Sequence, residues 1–243
     1  MRRVLFVLAL LAPLAASAEE SARGRVTLFG SGMFAARSLA FSESRTFTEF
    51  AETAHVDSSY SADSAAGFDV GVQFDVTRHI GVRASAARAR RDRKAAYTAS
   101  LPHPLYFDKP RTASGELPGS KLTETGGHLD LVLTASRGKL DVSAWGGVSR
   151  YKVETELLTG IEYSQSYPYD SVSITATPTI AVRNTPTGFN VGAGLDYRIA
   201  RHFGVGAQIR YGSAKAKFNP SGTSTVEIEA GGLQAGGGVR LYF

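Results

Sequence analysis

The sequence contains no cysteine. It can therefore hold no disulfide framework, no thiolate zinc site, no cysteine nucleophile and no lipidated N-terminal cysteine. Beyond its first residues no stretch approaches 18 consecutive apolar residues, which excludes a transmembrane helix. Apolar residues at 3.6-residue spacing are also scarce, which argues against a helical bundle. With 243 residues, 43% hydrophobic and 20% charged, the chain fits one folded domain or at most two, and neither a disordered nor a collagen-like composition.

The first residues read as an address. Met1-Arg2-Arg3 is a short basic start, Val4 to Leu14 is apolar apart from Pro13, and Ala16-Ser17-Ala18 is a small-x-small cleavage site before Glu19-Glu20. This predicts a secretory signal peptide over residues 1–18 and a single domain over 19–243. An anchoring helix would need about 20 apolar residues, and the acidic pair arrives too early for that. Loss of Arg2 and Arg3 takes the net charge from +5 to +3, too mild a balance to argue for nucleic acid.

What recurs in the remainder is strict alternation of apolar and polar residues. It is clearest in Phe68-Asp-Val-Gly-Val-Gln-Phe-Asp-Val76, Leu129-Asp-Leu-Val-Leu133 and Phe189-Asn-Val-Gly-Ala-Gly-Leu-Asp-Tyr197, each a strand with one apolar face. The first and third are each followed by an Arg-His turn, Arg78-His79 and Arg201-His202, and then by Gly-Val. Two matching hairpins suggest equivalent places in a symmetric all-β architecture.

One phase of the alternation can be followed through seven segments, from Phe68 through Val76, Ile80 through Ala86, Leu129 through Ala135, Leu140 through Val148, Phe189 through Ile199, Phe203 through Tyr211 and Ala235 through Phe243. None of these 34 positions is charged, where a chain of this composition would place about seven. The complementary phase holds Asp69, Asp75, Arg83, Asp130, Asp141, Asp196, Arg198, Arg210 and Arg240 among Gly, Ser, Thr, Asn and Gln. A soluble barrel would bury the apolar phase, and alternation alone does not exclude it. The connections favour the membrane: short turns at Thr77 to His79, Arg137 to Lys139 and Ala200 to His202 alternate with long stretches from Ala35 to Ala66, Ala95 to Thr125, Lys152 to Thr187 and Ser213 to Gly231. With both termini on the periplasmic side, three short turns and four long loops require eight strands.

The final segment, Val239, Leu241 and the aromatic Phe243, completes this pattern. In periodicity, glycine and aromatic content and C-terminal Phe, the sequence resembles the small outer-membrane β-barrels of the OmpA and OmpX type. The resemblance implies a transmembrane antiparallel up-and-down β-barrel in the outer membrane, with long extracellular loops, and it makes Phe243 the signal read by the barrel-assembly machinery. In hydrocarbon every backbone polar group must be paired within the protein, and a closed barrel does this without edges. An eight-stranded barrel is just wide enough to be filled by its own side chains. The balanced Asp and Arg set is then expected to form an interior charge network, against a wide aqueous pore. Strand 1 is ambiguous, with Val26, Leu28 and Phe34 competing against Phe29 and Met33 for the lipid face.

Little in the sequence points to catalysis. His79 and His202 belong to matching short turns, His55 and His103 lie in polar loops without ligand-spaced neighbours, and His128-Leu-Asp130 points to the charge network. Lipid-A-modifying barrels resemble this chain in size, but the His-x-Ser pair of the deacylase type is absent, and no lipid-phase position is His, Ser, Asp or Glu. The densest charge cluster, Arg88, Arg90, Arg91, Arg93 and Lys94, is positioned to meet lipopolysaccharide phosphates, and no aromatic platform for nucleic acid is interleaved with it. The long stretches are rich in Ser, Thr, Gly and Tyr, a composition suited to surface recognition of an extracellular ligand. The expectation is a monomeric, non-enzymatic outer-membrane barrel with no cofactor, of structural or surface-interaction role. A narrow solute channel and a lipid-A hydrolase are the alternatives, and a ten-stranded barrel arises if Ser171 to Ala176 crosses the membrane.

Overall fold

A computed structural model describes residues 26–36, 39–218 and 226–243; the leader assigned to residues 1–18 lies outside them. The strands are β1 (Val26–Ala35), β2 (Leu39–Glu49), β3 (Glu52–Ala62), β4 (Ala65–Asp75), β5 (Ile80–Leu101), β6 (Arg111–Arg137), β7 (Leu140–Leu158), β8 (Glu162–Ser164), β9 (Ser173–Ala176), β10 (Thr179–Asn184), β11 (Thr187–Ala200), β12 (Phe203–Phe218) and β13 (Val226–Tyr242). Antiparallel ladders join β1 to β4, then β5, β6, β7, β11, β12, β13 and back to β1, a ring of eight. The segment proposed as extra membrane-crossing strands instead pairs β9 with β8 in a separate two-stranded sheet.

The wall follows the alternation. None of the 34 lipid-phase positions is buried, and Val26, Leu28 and Phe34 of β1 face outward while Phe29 and Met33 point inside. The two matching turns are held identically. His79 Nδ1 lies 3.2 Å from the Thr134 carbonyl and His202 Nδ1 2.8 Å from that of Tyr242, each imidazole donating to the neighbouring strand. Both histidines therefore serve the turns.

The long stretches expected as loops are mostly strand. β2 and β3 continue the β1–β4 pair upward to a two-residue turn at Phe50 and Ala51, both in the left-handed region at φ 48° and 64°. β5 and β6 run 22 and 27 residues, where a membrane crossing needs about 9 to 11. β10 extends β11 along β7 in the same register. The reason for the correction is chemical: in these extensions the apolar residues face inward. Tyr60, Leu101, Leu122, Val153, Leu157, Phe218 and Ile228 pack into a core above the membrane, and the outward Ser, Thr and charged residues meet water.

Candidate functional site

The barrel interior gathers the predicted charges into two layers. In the upper one Asp69 of β4 accepts from Arg210 Nη2 at 2.8 Å and Gln208 Nε2 at 2.9 Å, both on β12, and Arg210 also reaches Ser85 Oγ at 3.3 Å. Asp130 accepts from Asn190 Nδ2 at 2.6 Å, and the same amide donates to Ser149 Oγ at 2.9 Å. The lower layer joins Arg240 Nε to Asp196 at 2.9 Å, Arg198 to Asp141 at 3.5 Å, and Arg83 through Gln73 to Asp75 at 2.7 and 2.8 Å. Every one of the nine predicted network residues thus lies inside and has such a link. Asp69 and Arg210 are 0% and 1% exposed, so each charge depends on its partner.

Sequence reasoning missed the uncharged members. Gln73 bridges Arg83 and Asp75, Gln208 donates to Asp69 and Asn190 to Asp130, and the guanidinium of Arg83 lies 4.2 Å from the Trp145 ring and 5.0 Å from that of Phe29. The detectable signal was their place in the inward phase. Space for the long side chains comes from glycine: a Cβ on Gly206 would run into the Asp196 carboxylate and lie 3.0 Å from Arg240 Nη2.

Two small cavities lie within the interior among the described residues. One cavity of about 20 Å³ is flanked by Glu124, His128 and Tyr151, and another of the same volume by Asp75, Arg83, Asp141, Asp196 and Arg240. Each suits roughly one water molecule. His128 Nδ1 lies 2.7 Å from Ser149 Oγ, a nucleophile-to-base distance, but both residues are buried, at 5% and 2% exposure. Among the described residues no three His, Asp or Glu side chains are grouped to hold a metal ion.

The cationic cluster is divided by the strand that carries it. Arg88, Arg90 and Lys94 face outward, whereas Arg91 and Arg93 are only 2% and 4% exposed and point inside, because odd-numbered residues of β5 face the interior. Arg91 Nη1 donates to the Asp63 carbonyl at 3.3 Å. Arg93 donates to Thr155 Oγ1 at 2.7 Å and to the Glu156 carbonyl, with the Tyr60 ring 4.5 Å away. The expected lipopolysaccharide contact is thereby corrected for these two residues.

At the distal end three segments are tied together. The Asp108 amide donates to Glu52 Oε1 at 2.9 Å, Lys109 Nζ lies 3.2 Å from Asp170, and buried Arg111 donates to the carbonyls of Pro102 and Tyr169 and to Gln165. His103 is buried beneath this clasp, 3.9 Å from Asp170, while His55 is exposed on β3. Around the ties Phe50, Leu105, Tyr106, Phe107 and Tyr167 remain exposed, Phe107 at 76% and Tyr167 at 81%.

Comparison with known proteins agrees with this architecture. Among curated proteins none matches the sequence. The outer membrane protein OprG from Pseudomonas aeruginosa superposes with a TM-score of 0.57 at 11% identity, over 91% of this chain and 96% of that one. Ail, the attachment invasion locus protein of Yersinia pestis, gives 0.38 at 12% identity over 90% and 99%, and the outer membrane protease OmpT from Escherichia coli 0.40 at 8% over 95% and 100%. With a ring of antiparallel strands, an apolar outer belt and a match over residues 4–240 to the family described as the outer membrane protein beta-barrel domain, the chain belongs to that family and resides in the cell outer membrane.

Proposed function

We propose that this barrel is a non-catalytic, monomeric structural protein of the cell surface that holds a rigid recognition tip away from the membrane. The observation that carries the reading is the tip itself: five large apolar side chains stay exposed on segments fixed by buried Arg111 and by the Glu52 and Asp170 ties. Exposed apolar patches of this kind mark interaction sites, and anchoring them beforehand lowers the ordering cost of binding. The lumen supports a scaffold over a channel. Its charged layers are side-chain filled, and above them Tyr60, Leu101, Leu122 and Leu157 form an apolar plug. A non-enzymatic role is supported by the seclusion of the Ser149–His128 pair. Biogenesis is proposed to rest on Phe243, which exchanges backbone hydrogen bonds with Val26 at the β13–β1 seam and is read by the barrel-assembly machinery.

Two measurements test the reading together. In planar bilayers the folded protein should show no resolvable single-channel conductance. Cells displaying Phe107→Ser/Tyr167→Ser should attach to ligand-bearing surfaces several-fold less than cells displaying the parent at equal amounts. Steady conductance steps would replace the scaffold with a channel, and unaltered attachment would remove the tip as the recognition surface.

A further inference from the structure

The apolar belt ends on β5, β6 and β7 against three arginines that face outward. Register places Ala86, Gly127, Arg150 and Thr187 in one row, Phe68, Arg88, Thr125 and Lys152 in the next, and Ala66, Arg90, Thr123 and Glu154 in the one above. The row below, Val72, Ala84, Leu129 and Val148, is wholly apolar and faces lipid. The arginines therefore stand within one to three rows of hydrocarbon, at the level of the headgroups. Strand spacing puts Arg88 and Lys152 about 10 Å apart at their Cα atoms, with Thr125 between them. β6 offers a floor of Gly127, Thr125 and Thr123, and nothing lies within 4 Å of where a Gly127 side chain would project.

The charges on this patch are unequally committed. Glu154 is engaged by Lys152 at 2.9 Å and Arg183 at 2.8 Å, which holds its carboxyl below the usual range, chiefly through the Lys152 hydrogen bond. Asp92 stands one row higher on the outward face, opposite Lys121. Arg88, Arg90 and Arg150 have no hydrogen-bond or ion-pair partner among the described residues. The other side of the barrel differs. On β12 and β13, Lys215 and Lys217 face Glu229 and Glu227 in register, with Lys215 Nζ 2.8 Å from Glu227, and at the belt's edge β1 and β4 present Phe34, Ala66 and Phe68. Above the belt the unpaired arginines thus occupy one side only.

We propose that this patch is a binding site for a phosphorylated outer-leaflet lipid, with phosphate on Arg88, Arg90 and Arg150 over the β6 floor and acyl chains descending past Leu129, Leu131 and Val148. Guanidinium matches phosphate bidentately, and such charge-assisted pairs strengthen where lipid lowers the local dielectric. The inference rests on the barrel's place in the outer membrane and is independent of the distal tip.

The test uses the folded protein in zwitterionic micelles, titrated separately with diphosphoryl lipid A, the same lipid lacking its phosphates, and inorganic phosphate. Native mass spectrometry reads the bound lipid and thermal unfolding the affinity. Diphosphoryl lipid A should be retained as a single copy, and Arg88→Ala/Arg90→Ala/Arg150→Ala should weaken it by about tenfold or more, equivalent to some 1.4 kcal/mol. Lys215→Ala/Lys217→Ala should leave binding unchanged. Undiminished binding by the triple variant, equal binding of the phosphate-free lipid, or the same stabilisation by inorganic phosphate alone would each overturn the proposal. If the triple variant does not fold, the phosphate-free lipid on the parent protein decides the question.

Discussion

Arg210 and Asp69 show what single residues contribute inside the barrel. Desolvating two ions costs several kcal/mol each, and their attraction offsets this only with good geometry and additional hydrogen bonds. Here Gln208 and Ser85 supply such bonds. Arg210→Ala should therefore destabilise by about 3 to 5 kcal/mol, because it strands a buried carboxylate. Replacing both ions, Asp69→Leu with Arg210→Met, should recover most of that loss. Urea unfolding in lipid vesicles, followed by Trp145 fluorescence, measures both, and a single variant within 1 kcal/mol of the parent would mean the pair does not hold the wall. The charges themselves were legible, since their phase excluded them from lipid. Their pairing was not, because Asp69 and Arg210 are 141 residues apart and face each other only once the ring is closed.

The extensions are the elements hardest to read. Thr53 to Ala62 alternates, with Ala54, Val56 and Tyr60 inward and Thr53, His55, Asp57 and Ser59 outward, yet its polar composition resembles a loop. Strands known by an apolar outward face give no template for one whose outward face meets water. The turn between β2 and β3 was also silent. Phe50 and Ala51 both adopt positive φ, where Asn-Gly is the usual choice for a two-residue hairpin. A non-glycine residue in the left-handed region carries roughly 1 to 2 kcal/mol of strain. Phe50→Asn/Ala51→Gly should accordingly stabilise the hairpin by about 1 kcal/mol once glycine's greater unfolded-state entropy is deducted. Slower proteolysis at this turn in folded vesicle-bound protein checks it; faster cleavage would show that the Phe50 ring outweighs the strain.

The whole molecule is a single wall built for two solvents, and the sense of its alternation reverses where the solvent changes. Along β5 the outward positions pass from Ile80 and Val82 to Arg88, Arg90 and Thr98, while the inward ones pass from Arg83 and Ser85 to Tyr97 and Leu101. Backbone register is continuous through the change apart from the shift between Arg93 and Ala95, so the same ladder carries both environments. The cost of a substitution should then depend on height as well as face. Leu131→Arg, outward in the belt, should cost about 2 to 4 kcal/mol if it lies near the midplane. Thr98→Arg, outward on the extension, should stay within about 0.5 kcal/mol of the parent because it meets water. Leu122→Ala, inward on the extension, should cost about 2 to 5 kcal/mol because it opens a cavity in an apolar core. Folded fractions of the three variants in lipid vesicles, read by heat-dependent gel mobility across a urea series, set these against one another. If Leu131→Arg and Thr98→Arg shifted the urea midpoint equally, the membrane boundary would not lie at the arginine rows of β5 and β7, and the lipid-binding patch inferred there would lose its headgroup level.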